Sequence, residues 1–280
     1  AISISDFLEA VGRKAHEYLS RHSSQEYHVI LPLNVEYARL ADNESFTVCG
    51  QSLHCMTWLD IQRTYAIDKL VAEIRQYLFD AAERDLWHWS GTPLIVKTRA
   101  RTSQSAFQRA FDAYDLFCAI LNFVHDTDRV QLGKPKPMAS VYQAAGYGVF
   151  LPEGSLAEPF IVEENLAFQN HLMSRCDLQP VLRMLDEINR EQRLRHSTQR
   201  FSDALRSFSS ALGTTNWSNA YLSLWQAMEI LTFGQQKKYD MNQVAERALT
   251  LAKGDDTARD FLNICADRRN DLVHRGQFSP

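Results

Sequence analysis

Apolar residues recur at three- and four-residue steps near the start of the chain, where Phe7, Leu8, Val11, Ala15 and Leu19 predict a helix over about 4–20. The period then falls to two. Val29, Leu31, Leu33, Val35 and Tyr37 alternate across 27–40, which predicts a strand, with Pro32 placing it at an edge or a bend. Residues 46–49 form a second short strand candidate. A long helix is expected over about 60–87, with Ile67, Leu70, Val71, Ile74, Leu78 and Ala82 on one face. Residues 93–101 alternate again, and the helix expected after them, 105–124, is strongly apolar on one side. From about 126 to 168 glycines and prolines interrupt every period, leaving short β-like pieces at 147–151 and 160–162.

Beyond about 178 the pattern is almost wholly helical, over 179–195, 199–212, 217–233, 241–253 and 257–275, with short turn-like connections. The expected fold is therefore mainly α. A mixed α/β portion over 1–175, read as a sensor or substrate-positioning part, precedes a helical bundle over 176–280.

Composition changes this picture little. Hydrophobic residues make up 45% and charged residues 23%, as in folded chains, and the formal net charge of -4 excludes a uniformly basic coat but not a local basic groove. The cysteines Cys49, Cys55, Cys118, Cys176 and Cys265 lie in or beside apolar segments with no C-x-x-C spacing, so they are expected to be reduced and buried. No apolar run approaches the roughly 18 residues of a membrane span. The opening Ala1-Ile2-Ser3-Ile4-Ser5 has no charged stretch leading into an apolar one, so a cytoplasmic location without membrane association is expected.

Chemistry enters at the end of the chain, in Arg268-Arg269-Asn270-Asp271-Leu272-Val273-His274-Arg275-Gly276. On a helix, Phe261, Cys265 and Leu272 should form a narrow apolar stripe, with Leu262, Ile264 and Val273 at its margins. Asn270 and His274 share the opposite face, and Arg269 lies near the apolar margin. RNA is cut without a metal when its 2′-OH attacks the adjacent phosphate. That step needs a group exchanging protons near neutral pH, which His supplies, and a permanent cation shaped to phosphate oxygens, which Arg supplies. An Arg and a His this far apart also suit a plain helix end, where cations complement the carbonyl dipole.

The string R-N-D-L-V-H-R-G resembles the R-x4-H motif of the HEPN superfamily, including the Asn directly after the Arg. Upstream, Asn219-Ala220-Tyr221-Leu222-Ser223-Leu224-Trp225-Gln226-Ala227-Met228-Glu229 is similar to the helix ending in Ala-x-Glu in the Apea-like branch. The resemblance covers about 195–277 and, over 25–125, rests on layout alone. It implies a helical bundle that homodimerises with two Arg/His helices in one cleft, and endoribonuclease activity of the kind used in bacterial antiviral defence or toxin systems. Arg269, His274 and Asn270 would be catalytic, with Glu229 and Arg268 supporting and no metal or cofactor required. Glu229 is expected to pair with Arg269 or Arg268, the alternative being direct proton transfer. Under this reading His274→Ala and Arg269→Ala should stop cleavage and leave melting nearly unchanged. The rival is a catalytically silent helical module that binds a nucleotide or a partner protein. An activating ligand or partner fits either reading.

Weaker signals each have an ordinary explanation. Arg190, Arg193, Arg195, Arg200 and Arg206 form a basic run from which Arg195 and Arg200, with Arg275 further on, are the candidate RNA contacts; a solvated helix face is the alternative. His54-Cys55 with Cys49 fits no zinc spacing. Gly146-x-Gly148 reads as a turn, His125-Asp126 as a cap or loop, and Lys134-Pro135-Lys136-Pro137 as an exposed loop.

Overall fold

The computed structural model describes residues 3–21, 23–33, 35–37, 45–77, 92–131, 146–161, 173–176, 178–190, 195–213, 216–232 and 241–275. The elements run α1 (Ile4–Arg21), β1 (Gln25–Leu33), β2 (Val35–Tyr37), β3 (Ser45–Val48), β4 (Gln51–Cys55), α2 (Trp58–Thr64), α3 (Ile67–Tyr77), β5 (Thr92–Ala100), α4 (Ser103–Gln131), β6 (Gly146–Phe150), β7 (Leu156–Ile161), β8 (Met173–Cys176), α5 (Gln179–Arg190), α6 (Arg195–Gly213), α7 (Trp217–Thr232), α8 (Met241–Ala252) and α9 (Asp256–Arg275). The fold is mainly α, with an antiparallel sheet in the N-terminal half and helices in the C-terminal half.

Two compact units emerge, and their border falls inside α4, between Tyr114 and Asp115. The first holds α1, β1, the sheet strands β3 to β7, α2, α3 and the start of α4; the second holds β2, β8, the rest of α4 and α5 to α9.

The sheet of the first unit has strand order β3-β4-β5-β1-β6-β7. Its neighbouring strands are all antiparallel. Central β1 is buried on both faces, Tyr27, Val29 and Leu31 on one and His28 and Ile30 on the other. Phe107 and Phe111 of α4 pack on Tyr147 of β6, on the Val29 side. On the other side Ile30, Ile95 and Phe150 meet Ile61, Tyr65, Ile67 and Leu70 of the α2–α3 segment. Each such aliphatic side chain removed from water contributes about 1.5–3 kcal/mol.

The expectation that Pro32 marks an edge or bend is corrected by the register. β1 is central, yet Pro32 lies directly opposite Pro93 of β5, past the last β1–β6 pair at Ile30–Gly148. Two opposed prolines fit only a non-hydrogen-bonded pair, whose amide positions turn outward, and among the described residues β6 is not paired with this end of β1. Residues 35–37 do not continue that strand; they pair in parallel with β8, which the sequence did not signal.

The helix expected over 60–87 is broken. Thr57 caps α2, its Oγ1 accepting from the Asp60 amide at 3.2 Å. Tyr65 then turns extended (φ -118, ψ 148) and ends α2. Its hydroxyl lies 2.8 Å from His28 Nδ1, while His28 Nε2 donates to Glu26 Oε1 at 3.0 Å. Neighbouring Ala66 donates its amide to the Gly154 carbonyl, 2.9 Å away, before α3 begins. Residues 78–91 lie outside the described ones.

α4 runs past the expected stop near 124, so the backbone at His125-Asp126 is helical and not a loop. Lys134-Pro135-Lys136-Pro137 lies outside the described residues. Gly146 and Gly148 sit in strand β6 instead of a turn. A Cβ at Gly148 would press into the Phe150 ring and the Leu70 side chain, so close strand–helix packing demands the glycine. The β3–β4 hairpin turns on Cys49 and Gly50, both at positive φ (50 and 72), the signature of a type I′ turn. Cys55 and Cys118 are buried as expected, whereas Cys49, in that turn, is exposed.

Thr98 is 3% exposed, and among the described residues its hydroxyl has no hydrogen-bond partner. Thr98→Val keeps the shape and removes the stranded polar group, so it should stabilise the protein by about 1 kcal/mol. A urea midpoint lower than that of the parent would refute this.

Candidate functional site

The motif helix α9 is built by its neighbours in the second unit. Asn216 caps α7, its Oδ1 accepting from the amides of Ser218 and Asn219 at 3.0 and 3.1 Å. α8 ends in a tight turn with Lys253 at φ 50 and the Gly254 amide donating to the Leu249 carbonyl at 3.0 Å. Asp255 then starts α9 by accepting from the Ala258 amide at 3.0 Å. Trp225, Val244 and Ala266 form the buried centre between α7, α8 and α9, with Met228, Met241 and Cys265 packed on it.

Polar contacts between α7 and α9 follow the same chain direction in both helices. The Tyr221 hydroxyl donates to the Cys265 carbonyl. Two turns further along α7, Glu229 Oε1 lies 3.5 Å from Arg269 Nη2, one turn further along α9. Parallel running is what α8, folded back between them, requires. Burial pushes the Tyr221 hydroxyl well above its usual pKa, with Cys265 adding to the effect and Arg268 opposing it.

The stripe expected on α9 is rotated. Cys265 is half-buried and Leu272 buried, but Phe261 is 64% exposed and Ile264 53% exposed. The packed face instead centres on Arg269, between Cys265, Ala266 and Leu272. Apolar residues alone place Arg269 only at the margin. Tertiary packing accepts the guanidinium inward because Glu229 meets it. Of the two pairings open to Glu229, the one formed is with Arg269, and both side chains are only about one-fifth exposed, at 20% and 21%.

His274 is exposed, Asn270 and Asp271 are half-buried, and Arg268 is exposed. Arg269 and His274 are five positions apart, which sets them about 140° apart around the helix. One chain therefore holds the cation against α7 and offers the imidazole to solvent. Convergence on a single phosphate requires a reorientation of Arg269 or the corresponding group of a second copy.

Of the candidate RNA contacts, only the Arg200 side chain is among the described residues. Arg200 closes the end of α7: its Nε and Nη2 donate to the Ile230 carbonyl at 3.1 and 2.9 Å, and Nη2 also to Leu231 at 3.3 Å. Arg247 does the same for Thr232, at 2.8 Å. These cations cap the helix that carries Glu229. Arg206 lies 3.2 Å from Asp115 and from Asp203. The side chains of Arg195 and Arg275, and the whole of Arg193, lie outside the described residues.

Sequence reasoning missed Trp225 and Tyr221. Trp225 Nε1 donates to Glu229 Oε1 at 2.6 Å. The signal was there in the spacing: Tyr221, Trp225 and Glu229 are four apart and share one helix face.

A second polar group lies in the first unit. Besides the His28 pair, His54 Nε2 is 2.9 Å from the Ser52 hydroxyl, and the His54 pKa is lowered by burial, then by Lys97 and His28. The hydrogen bond from His28 holds Glu26 low, and burial pushes the Tyr65 hydroxyl up to about 12. His54 and Cys55 are adjacent on β4 and so point to opposite faces of the sheet.

Compared with family models, curated proteins and solved structures, the chain matches none.

Proposed function

We propose that this chain is a metal-independent endoribonuclease of the HEPN superfamily, in its Apea-like branch, working as a homodimer in bacterial antiviral defence or a toxin system. The observation that carries the reading is the state of the motif on α9. His274 is exposed, Asn270 lies one turn before it on the same face, and Arg269 is held by a carboxylate.

His274 takes the proton from the 2′-OH or gives one to the departing 5′-oxygen. Arg269 stabilises charge on the five-coordinate phosphate, and Asn270 orients the imidazole or the phosphate. The 2′-oxygen bonds to phosphorus as the 5′-oxygen leaves, giving a 2′,3′-cyclic phosphate and a 5′-OH. Arg268 supports the pair, and Arg195 and Arg275 are proposed as contacts to the RNA backbone.

The angle between Arg269 and His274 gives the dimer its purpose here. Paired α9 helices roughly 8–10 Å apart would bring one copy's His274 toward the other copy's Arg269. The angle equally favours a second reading, a silent module in which Arg269 only ties α9 to α7 while this surface binds a nucleotide or partner protein.

Incubating the protein with total RNA and mapping the cut ends separates the two. The nuclease reading expects 2′,3′-cyclic phosphate ends, and cleavage that persists in EDTA. Cleavage that stops in EDTA and returns with Mg²⁺ would contradict the mechanism, because a bound metal would then be supplying the nucleophile or the charge. No cleavage of any RNA by the dimer leaves the binding module.

A further inference from the structure

Trp225 is 4% exposed at the centre of the α7–α8–α9 cluster, and its one polar atom is used there. Nε1–H donates at 2.6 Å to Glu229 Oε1, and that same oxygen lies 3.5 Å from Arg269 Nη2. Indole, carboxylate and guanidinium thus form one line through a single shared oxygen.

We infer that Trp225 is a positioning residue for Arg269, acting through Glu229; its bearing on catalysis rests on the nuclease reading above. A glutamate side chain with a fifth of its surface in water has several torsions free to carry its carboxylate outward. The indole removes that freedom. It is a rigid ring packed on all sides, and its N–H comes from the same helix one turn earlier, so the carboxylate is aimed before α9 presents the arginine. The bond is also charge-assisted. A guanidinium held this way meets the charge developing on phosphorus without first being ordered.

The test uses Trp225→Phe, which keeps a buried ring and deletes the N–H. Should that variant not fold, site-specific incorporation of benzothienylalanine at 225 removes the N–H and keeps the full ring shape. Two readouts are taken: the Nε–H signal of Arg269 in protein labelled with ¹⁵N-arginine, and the kinetics of RNA cleavage. The inference expects solvent exchange of that signal to quicken and kcat to fall, each by about tenfold, with KM within about twofold, as when a reacting group is slightly misplaced. Glu229→Gln keeps an oxygen for the indole but no charge for Arg269, so the tryptophan Nε1–H signal should persist while the Arg269 signal is lost. A folded N–H-deleted protein with unchanged Arg269 exchange and unchanged kcat overturns the inference. If the parent protein cuts no RNA, the nuclease reading fails alone, and the exchange measurement still decides whether Trp225 restrains Arg269.

Discussion

Replacing His274 with alanine is expected to lower RNA cleavage by at least about 100-fold, the usual size of a lost general acid or base. The melting temperature should stay within about a degree, because His274 is exposed and its removal uncovers no core. Arg269→Ala should cost as much activity, but its structural outcome now differs from the sequence expectation. Arg269 sits in the packed face of α9 against Glu229, so deleting it leaves a carboxylate that is 20% exposed with the Trp225 N–H but without its cation. A loss of about 1–2 kcal/mol is expected for removing the counter-charge of a partly buried pair. Glu229→Gln combined with Arg269→Ala should recover part of that stability and none of the cleavage. Measured together, the variants separate chemistry from scaffolding. Should His274→Ala cleave RNA as the parent does, the proposed mechanism is wrong, whatever the behaviour of Arg269.

The second large effect is on stability. Gly154 lies in the β6–β7 turn at φ +91, and a Cβ there would drive into the backbone carbonyl oxygen of Thr64. Its amide donates to the Leu151 carbonyl at 2.8 Å, and its carbonyl receives the Ala66 amide. The residue therefore ties the turn to the α2–α3 junction and has no room to retreat. Gly154→Ala combines left-handed backbone strain, about 1–2 kcal/mol, with an overpacking cost of about 1–3 kcal/mol. A total near 3 kcal/mol is expected, a large part of the 5–15 kcal/mol that holds a typical domain together. The urea midpoint should fall by about 1 M or more. Gly12→Ala is the control: it lies within α1 with nothing inside 4 Å of an added Cβ, so it should be neutral or raise stability by up to about 1 kcal/mol. Equal midpoints for the two variants would show that the turn is not held as described.

Much of the architecture is legible in the residues because periodicity is a local property. The helices α7 to α9 start and stop close to where their apolar spacing and turn residues place them, and β5 and β6 follow their alternation, whereas Arg195, read as the end of one helix, opens α6. Two of the misses share a cause. The helix read across 60–87 breaks at Tyr65 because a buried hydroxyl finds His28 and the next amide finds Gly154, partners 37 residues before and 88 residues after in the chain. β8 was invisible because its pairing partner, β2, lies far back in the sequence.

The candidate site divides in the same way. Composition and spacing alone determined that a helix ends in Arg269, Asn270 and His274, that Asn270 and His274 share a face, and that Glu229 needs a cation. Only the folded arrangement decided that this cation is Arg269, that the guanidinium turns inward while the imidazole turns out, that Arg200 caps α7, and that Trp225 holds the carboxylate between them. Helical period and charge demand are written within a few residues of each position. Which distant group satisfies a buried charge depends on how whole helices pack, and that is settled only when the cost of leaving it unpaired is weighed against every surface the fold brings near.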